Sequence, residues 1–355
     1  MMPAVYIHIP FCKSRCLYCD FFSTTLLSRR EEYVQALIRE ARQRLASYDA
    51  EQSGISTIYF GGGTPSMLAT EQLARILYAI PHPNDIEITL EANPGDLTQE
   101  KLCQLHQVGI NRLSIGIQSF QDHELRLLGR RHTAQEAHEA VQMAQNAGFD
   151  NISIDLMYAL PGQTMIDWEH NIHEALRLQV QHISCYCLTY ESHTPLTQMV
   201  ESGQLTPADE DTENAMYDLL CERLKENSFE HYEVSNFALP GFRSQHNSGY
   251  WNNTPYIGLG AGAHSYDGQN RRWNSADLDQ YQQGIYEQES LTPEQKEMEQ
   301  IMLRLRTCEG IPCTASLKAK ALPFLHRGQL TLKNDRLVAT QSGLHILNII
   351  IEALV

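Results

Sequence analysis

Short, nearly continuous apolar runs alternate with segments of helical period along the N-terminal half of this chain. The runs are Val5–Ile9, Ser56–Phe60, Ile86–Leu90, Arg112–Ile117, Asn151–Leu156 and His182–Cys187. Between them lie helix-period segments near 30–47, 70–80, 98–108, 133–147 and 167–178. Runs that stay apolar on both faces fit strands covered on both sides, and strands alternating with helices build a parallel sheet. The pattern predicts an α/β fold, an open, partial (β/α)6 barrel; an eight-unit barrel is also compatible with it. Beyond residue 208 the rhythm changes. A long helix is expected at 208–227, and then Phe242–Trp273 is rich in Gly, Asn and aromatics with few periodic signals. Long irregular stretches in compact proteins are usually functional. Helical period resumes at Thr292, and Leu330–Val338 followed by Gln341–Leu354 reads as a strand pair and a helix. The expected organisation is a barrel over 1–235, an irregular bridging segment over 236–290, and a small winged-helix-like α+β domain over 291–355.

Composition narrows the function. The chain has 355 residues and a formal net charge of −16. Nucleic acid as the main partner is disfavoured, because phosphate binding relies on clustered cations; Arg126, Arg130 and Arg131 come closest to such a patch. Nine cysteines are present, an odd number, and three of them crowd into residues 12–19. The others (Cys103, Cys185, Cys187, Cys221, Cys308, Cys313) are scattered, unlike a secreted disulfide framework. No signal peptide stands at the N-terminus, and no stretch approaches the ~20 apolar residues of a membrane span. A reducing, cytoplasmic location is expected.

The crowded cysteines carry the chemistry. The segment runs Tyr6-Ile-His-Ile-Pro-Phe-Cys12-Lys-Ser-Arg-Cys16-Leu-Tyr18-Cys19, directly after the first strand. Thiolate is the preferred ligand of iron–sulfur clusters, and three thiolates from one loop hold a cubane while leaving one iron open. Zinc is the competing reading. It wants four ligands, usually in two separated pairs, and here only His8 is near. Several strands also end in polar or glycine-rich groups: Gly61-Gly62-Gly63-Thr64-Pro65, Glu91, Gln118 and Asp155. Parallel α/β folds bind ligands at the carboxyl ends of their strands. Glycines there let the backbone approach a ligand closely. Charged groups inside apolar strands are costly unless paired or hydrogen-bonded, so the alternative is a buried polar network.

This Cys-x3-Cys-x2-Cys loop resembles the signature of the radical S-adenosylmethionine (SAM) superfamily. The resemblance implies a [4Fe–4S] cluster on Cys12, Cys16 and Cys19 whose open iron chelates the amino and carboxylate groups of SAM. In that family one electron from the cluster cleaves SAM to a 5′-deoxyadenosyl radical. Within the superfamily the chain is similar to the coproporphyrinogen III dehydrogenase group over nearly its whole length, including Leu160-Pro161-Gly162-Gln163-Thr164 and Arg304-Leu-Arg306-Thr-x2-Gly310. The resemblance implies SAM contacts at Tyr6, Gly62, Gly63, Thr64, Glu91, Gln118, Arg130 and Asp155, serving one or two SAM molecules.

Two departures from the decarboxylating enzymes stand out. Those enzymes carry a further cysteine two places after the third cluster cysteine, where this chain has Phe21, and an extended segment before the first strand, where only five residues precede Tyr6. Both match the heme chaperone branch, which also shows His-Asn-x2-Tyr-Trp, here His246 to Trp251. Imidazole is the common axial ligand of heme iron, and Tyr250 and Trp251 are suited to a porphyrin face. The resemblance therefore implies a heme chaperone with cluster, SAM and heme, His246 as heme ligand ahead of His132 and His264, and apo-hemoproteins as partners. No residue is given a catalytic role. Oxidative decarboxylation of coproporphyrinogen III, or radical SAM chemistry on another tetrapyrrole, is the alternative. Cys185, Cys187, Cys308 and Cys313 are expected to be structural. The C-terminal helix is expected to pack onto the barrel, with peripheral membrane or partner docking as the alternative. Monomer and homodimer are both compatible with the sequence.

Overall fold

The computed structural model of the protein describes residues 2–48 and 54–355. Six strands, β1 (Ala4–Ile9), β2 (Thr57–Gly62), β3 (Glu87–Ala92), β4 (Arg112–Gln118), β5 (Ile152–Tyr158) and β6 (His182–Cys187), lie side by side in chain order, all parallel. The connecting helices are α1 (Arg30–Arg44), α2 (Thr70–Tyr78), α3 (Gln99–Gln107), α4 (Asp122–Leu127), α5 (Ala134–Asn146) and α6 (Met165–Arg177). Apart from α4, which the sequence pattern did not mark, each element falls within a few residues of the sequence expectation. The reason is local. The hydroxyls of Thr133 and Thr164 accept the N–H groups of Glu136 and Asp167, whose carboxylates reach back, so α5 and α6 start on reciprocal caps. The strands are buried along nearly their whole length. Parallel pairing brings all six carboxyl ends to one side, and the site is built there.

The next elements correct the expectation of an irregular bridge. After α7 (Pro195–Glu201) and α8 (Glu210–Glu226) come β7 (Glu230–Glu233), β8 (Asn236–Ala238), α9 (Gln245–Trp251), β9 (Tyr256–Leu259), β10 (His264–Tyr266), β11 (Asn270–Asn274), α10 (Leu278–Gln282) and β12 (Tyr286–Ser290). β8 pairs antiparallel with β6, while β9 pairs parallel with β1 and leads into a β10–β11–β12 meander. The result is one open sheet of 12 strands. These added strands are three to five residues long, too short to register as a period.

The C-terminal unit has the helix, strand, helix, hairpin order expected of a winged-helix-like domain: α11 (Pro293–Arg304), β13 (Ile311–Pro312), α12 (Ala315–His326), β14 (Leu330–Lys333) and β15 (Arg336–Ala339), with the three strands in a separate antiparallel sheet. The expected last helix is two, α13 (Gln341–Leu344) and α14 (Leu347–Leu354), broken at His345-Ile346. It does not pack mainly onto the barrel. Leu347, Ile350, Ile351 and Leu354 join Leu305, Leu317 and Phe324 in a core belonging to this unit. Leu344 also packs against the main core, and His345 meets Tyr217 of that core edge-on. No helix among the described residues is long and apolar enough to cross a membrane.

A short seam ties this unit to the sheet edge. The Val234 N–H donates to the Arg306 carbonyl at 3.0 Å and the Cys308 N–H to the Tyr232 carbonyl at 3.0 Å, either side of a bridge between Glu233 and Thr307. Glu233 is fully buried there, and burial raises its carboxyl from 4.5 to about 7. A carboxyl raised on folding holds its proton in the native state after the unfolded chain has lost it. Its contribution to stability is therefore full below pH 4.5 and lost as pH rises through about 7. The expected result is that Glu233→Gln flattens this fall. At pH 8 the variant gains up to roughly 3 kcal/mol over the parent, less the weaker hydrogen bond to the Ser235 N–H. Urea midpoints from pH 4.5 to 8 check it, and a parallel fall in both proteins would refute it.

Candidate functional site

The cysteine loop leaves β1 at Pro10 and crosses the carboxyl ends of the strands. It is closed at its base by Cys12 N–H to the Thr24 carbonyl at 2.9 Å and Thr24 N–H to the Pro10 carbonyl at 2.7 Å. Leu17 N–H donates to the Leu128 carbonyl at 3.1 Å, anchoring the middle of the loop to the end of α4. Cys12, Cys16 and Cys19 are free thiols, and all three line a cavity of about 1070 Å³. Burial is the main cause raising the Cys12 and Cys19 thiols, so their protons leave readily only when a cation replaces them. The Arg130 guanidinium donates to Cys16 Sγ at 3.5 Å, a fixed positive charge suited to a thiolate-bound cluster. His8 is no fourth ligand. Its Nδ1 is 3.1 Å from the Tyr6 hydroxyl and its Nε2 is 2.9 Å from the Phe22 carbonyl. Three thiols and one guanidinium facing a cavity fit a three-cysteine cluster and not a four-ligand zinc.

The glycine run is required by close approach. Gly62 has φ +112°, and a Cβ on it would lie 2.6 Å from the His8 ring. A Cβ on Gly63 would lie 2.7 Å from the Pro10 carbonyl carbon and 3.0 Å from Cys12 Sγ. The run therefore lies flat against the root of the cysteine loop, with Thr64 Oγ1 3.5 Å from Cys12 Sγ. Glu91 supports it from β3: the Gly62 N–H donates to one carboxylate oxygen at 3.1 Å and the Tyr59 hydroxyl to the other at 2.9 Å. Burial raises the Glu91 carboxyl to about 7 against these donors. Gln118 holds φ +71°, an unusual backbone for a non-glycine residue, and ends β4 at the cavity wall. Asp155 accepts from the Ser114 hydroxyl at 3.2 Å. Arg130 donates to the Gly116 carbonyl, and its buried Nε has no partner among the described residues.

Seven of the eight residues expected around SAM thus meet on one cavity wall: Gly62, Gly63, Thr64, Glu91, Gln118, Arg130 and Asp155. Tyr6 does not line it; its ring stacks on Tyr59 with centroids 6.2 Å apart. The basic patch suggested by the arginines is absent, since Arg130 is spent on the cysteine loop and Arg131 pairs with Asp96 at 2.9 Å. Arg112, on β4, was missed. It is buried with its Nε unpartnered among the described residues, and its charge acts on Glu91, Asp155 and His246. A lone arginine inside an apolar strand run was the available signal. Cys187 packs against the main core as expected and also lines the cavity.

His246, expected as the heme ligand, sits in an enclosed setting. It is 2% exposed, and both ring nitrogens are engaged: Nδ1 with Thr57 Oγ1 at 2.8 Å and Nε2 with the Tyr250 hydroxyl at 3.0 Å. Its ring stacks on Tyr59, and its backbone N–H donates to Glu87 at 3.0 Å. Burial, then Arg112, lowers its pKa to about 3, so it stays neutral. This histidine fastens α9 to β2 and β3. His246→Ala is expected to cost about 2–4 kcal/mol, from a cavity and two stranded hydroxyls, and to leave heme affinity unchanged at a temperature where the variant is folded. Heme titration beside thermal unfolding checks it, and lost affinity without lost stability would restore the ligand role. Of the other candidates, His132 is buried with Nε2 on the Ile117 carbonyl at 3.0 Å, and exposed His264 stacks on Trp273.

The radical SAM superfamily matches residues 6–175. Heme chaperone HemW of Bacillus subtilis is 38% identical over 323 residues, 87% of this chain and 85% of that protein. The chain belongs to the HemW family. Heme chaperone HemW of Escherichia coli is 32% identical and spans 98% of this chain and 97% of its own length. HemW of Lactococcus lactis is 42% identical over 74% of this chain and 69% of that protein. Among solved structures, the coproporphyrinogen III oxidase HemN of Escherichia coli, a radical SAM enzyme, superposes with a TM-score of 0.84 at 20% identity, over 99% of this chain and 90% of that one. HemW and HemN therefore share a fold, and the identity to HemW relatives separates the two. The radical SAM membership brings a [4Fe–4S] cluster and SAM with it, and the cavity wall just described carries donors of the right kind for both.

Proposed function

We propose that this chain is a cytoplasmic heme chaperone, which binds a [4Fe–4S] cluster, SAM and heme and passes heme to apo-hemoproteins. The observation that carries this reading is identity to heme chaperones along nearly the full chain. Cys12, Cys16 and Cys19 hold the cluster, which when bound supplies electrons and an open iron for SAM. Gly62, Gly63 and Thr64 offer backbone and hydroxyl groups to the methionine end of SAM. Glu91, Gln118 and Asp155 offer acceptors and an amide, and Arg130 holds positive charge beside Cys16. Tyr6 stands behind the glycine run, against Tyr59 and His8. The cavity of about 1070 Å³ lies at the upper end of what one small ligand needs, leaving space for a flat macrocycle beside SAM. Tyr158, Tyr186 and Leu188 supply apolar wall for such a ring.

Oxidative decarboxylation of coproporphyrinogen III is the second reading, favoured by the likeness in fold to HemN. Phe21 weighs against it. Where that enzyme group has a cysteine, this chain places an aromatic ring, 73% exposed, at the cavity mouth. The test is anaerobic. Cluster-reconstituted protein is given SAM, reductant and coproporphyrinogen III, and carbon dioxide and 5′-deoxyadenosine are followed; a separate sample is titrated with hemin. Saturable hemin binding without decarboxylation is the expected result. Repeated decarboxylating turnovers would overturn the chaperone reading.

A further inference from the structure

Part of the cavity wall comes from elements that carry none of the residues expected around SAM. Arg306, His345, Leu347 and Asn348 of the C-terminal unit face Asn214 and Tyr217 of α8 there. The seam holds the carbonyl of Arg306 itself and the N–H of Cys308 two residues on, so the position of Arg306 is set by the main chain and not by a loose loop. Its guanidinium donates to two neutral oxygens, the Met302 carbonyl at 2.7 Å and Asn348 Oδ1 at 2.8 Å. Arg177, Arg223, Arg243 and Arg271 all sit on carboxylates. Among the described residues no carboxylate lies within ion-pair distance of Arg306. A half-buried cation facing a ligand-sized cavity without a counter-ion lacks the anion that would complete it.

Two neighbours strengthen the case. α14 begins at Leu347 with no side-chain cap, Leu347 and Asn348 of its first turn line the same cavity, and that turn carries no acidic residue. His345 is held by Asn214 through Nδ1 and by Asp218 through Nε2 at 2.9 Å, which ties the helix break to α8. Glu213 of α8 also lines the cavity, and it makes no ion pair with Arg306. Met157, Tyr158, Tyr186 and Leu188 add apolar and aromatic surface to the same wall, which suits a hydrophobic body with acidic groups at its edge.

We propose that Arg306, with Asn348 and the first turn of α14, forms a carboxylate subsite that anchors a propionate of a tetrapyrrole lying across the cavity. The proposal rests on the heme-binding reading and adds the orientation of the ligand: propionates toward the C-terminal unit, opposite edge toward the cysteine loop. It also gives the Arg304-Leu-Arg306-Thr-x2-Gly310 motif a split purpose. Arg304 reaches the Trp251 carbonyl and the Asn252 side chain to brace α9, and Arg306 faces the ligand.

The test compares hemin with hemin dimethyl ester, whose propionates are capped. Cluster-reconstituted parent, Arg306→Gln and Arg306→Lys are titrated with each, and cluster absorbance and SAM binding serve as controls for folding. The parent is expected to prefer hemin over the ester by about tenfold. Arg306→Gln is expected to lose that preference through weaker hemin binding alone, and Arg306→Lys to recover part of it. Equal affinity of the parent for both ligands, or an Arg306→Gln loss of equal size for both, overturns the subsite while leaving the chaperone reading standing. A parent that binds neither ligand overturns both.

Discussion

Cys16→Ala protein is expected to purify without its iron–sulfur absorbance, to take up no cluster on reconstitution, and yet to stay folded. Cys16 lies in a half-buried loop whose backbone is held independently, by Cys12, Leu17 and Thr24. Removing its sulfur deletes no core packing, so the unfolding midpoint should move by less than about 1 kcal/mol. The chemical loss is complete by comparison. Two thiolates and one open corner do not replace three thiolates, and Arg130 is left facing a methyl group. SAM affinity is expected to fall with the cluster, because the open iron is lost with it. Iron content, visible absorbance and circular dichroism on one sample check the expectation. Cluster retention at parental occupancy would remove Cys16 from the ligand set. Cys19→Ala should behave alike, whereas Cys12, which is buried, carries a stability cost as well.

Gly62→Ala is expected to damage folding and SAM binding together. At φ +112° an alanine is strained wherever it is placed, at about 1–2 kcal/mol. The added methyl would also meet the His8 ring at 2.6 Å, and that ring is held by the Tyr6 hydroxyl and the Phe22 carbonyl. To make room, either β2 leaves β1 or His8 swings and pulls Phe22, just beyond Cys19. Both movements disturb the surface where the glycine run meets the cysteine loop, and both shift the Gly62 N–H away from Glu91. A total loss of roughly 2–4 kcal/mol follows, with SAM binding weakened at least tenfold in whatever fraction folds. Denaturant unfolding and calorimetric titration with SAM check it. An alanine protein of parental stability would mean that the strand end relaxes at no cost.

His246 and Gly62 show where reading the chain succeeds and where it stops. The parallel core was legible because its signals are local: continuous apolar runs for strands buried on both faces, and Thr caps three residues ahead of Glu136 and Asp167. The cysteine loop was legible for the same reason, since its three ligands stand within eight residues of one another. The glycine run was legible in place, though its reason was not. Its glycines answer to His8 on β1 and Pro10 just beyond it, more than fifty residues earlier.

The sequence by itself determined the chemistry of the cluster loop and the strand order that delivers Glu91, Gln118 and Asp155 to one wall, because both follow from short-range pattern and right-handed parallel winding. Tertiary structure alone decided what distant residues do to each other. It gave both ring nitrogens of His246 hydrogen-bond partners, one of them Thr57, 189 positions away in the chain. It made strands of a segment whose runs are too short to show a period, buried Arg112 beneath Glu91, and drew Arg306 to the cavity by pairing Val234 with a carbonyl of the C-terminal unit. Burial and the occupancy of a hydrogen-bonding atom are properties of what the chain brings alongside, and no residue carries them in its own neighbourhood of the sequence.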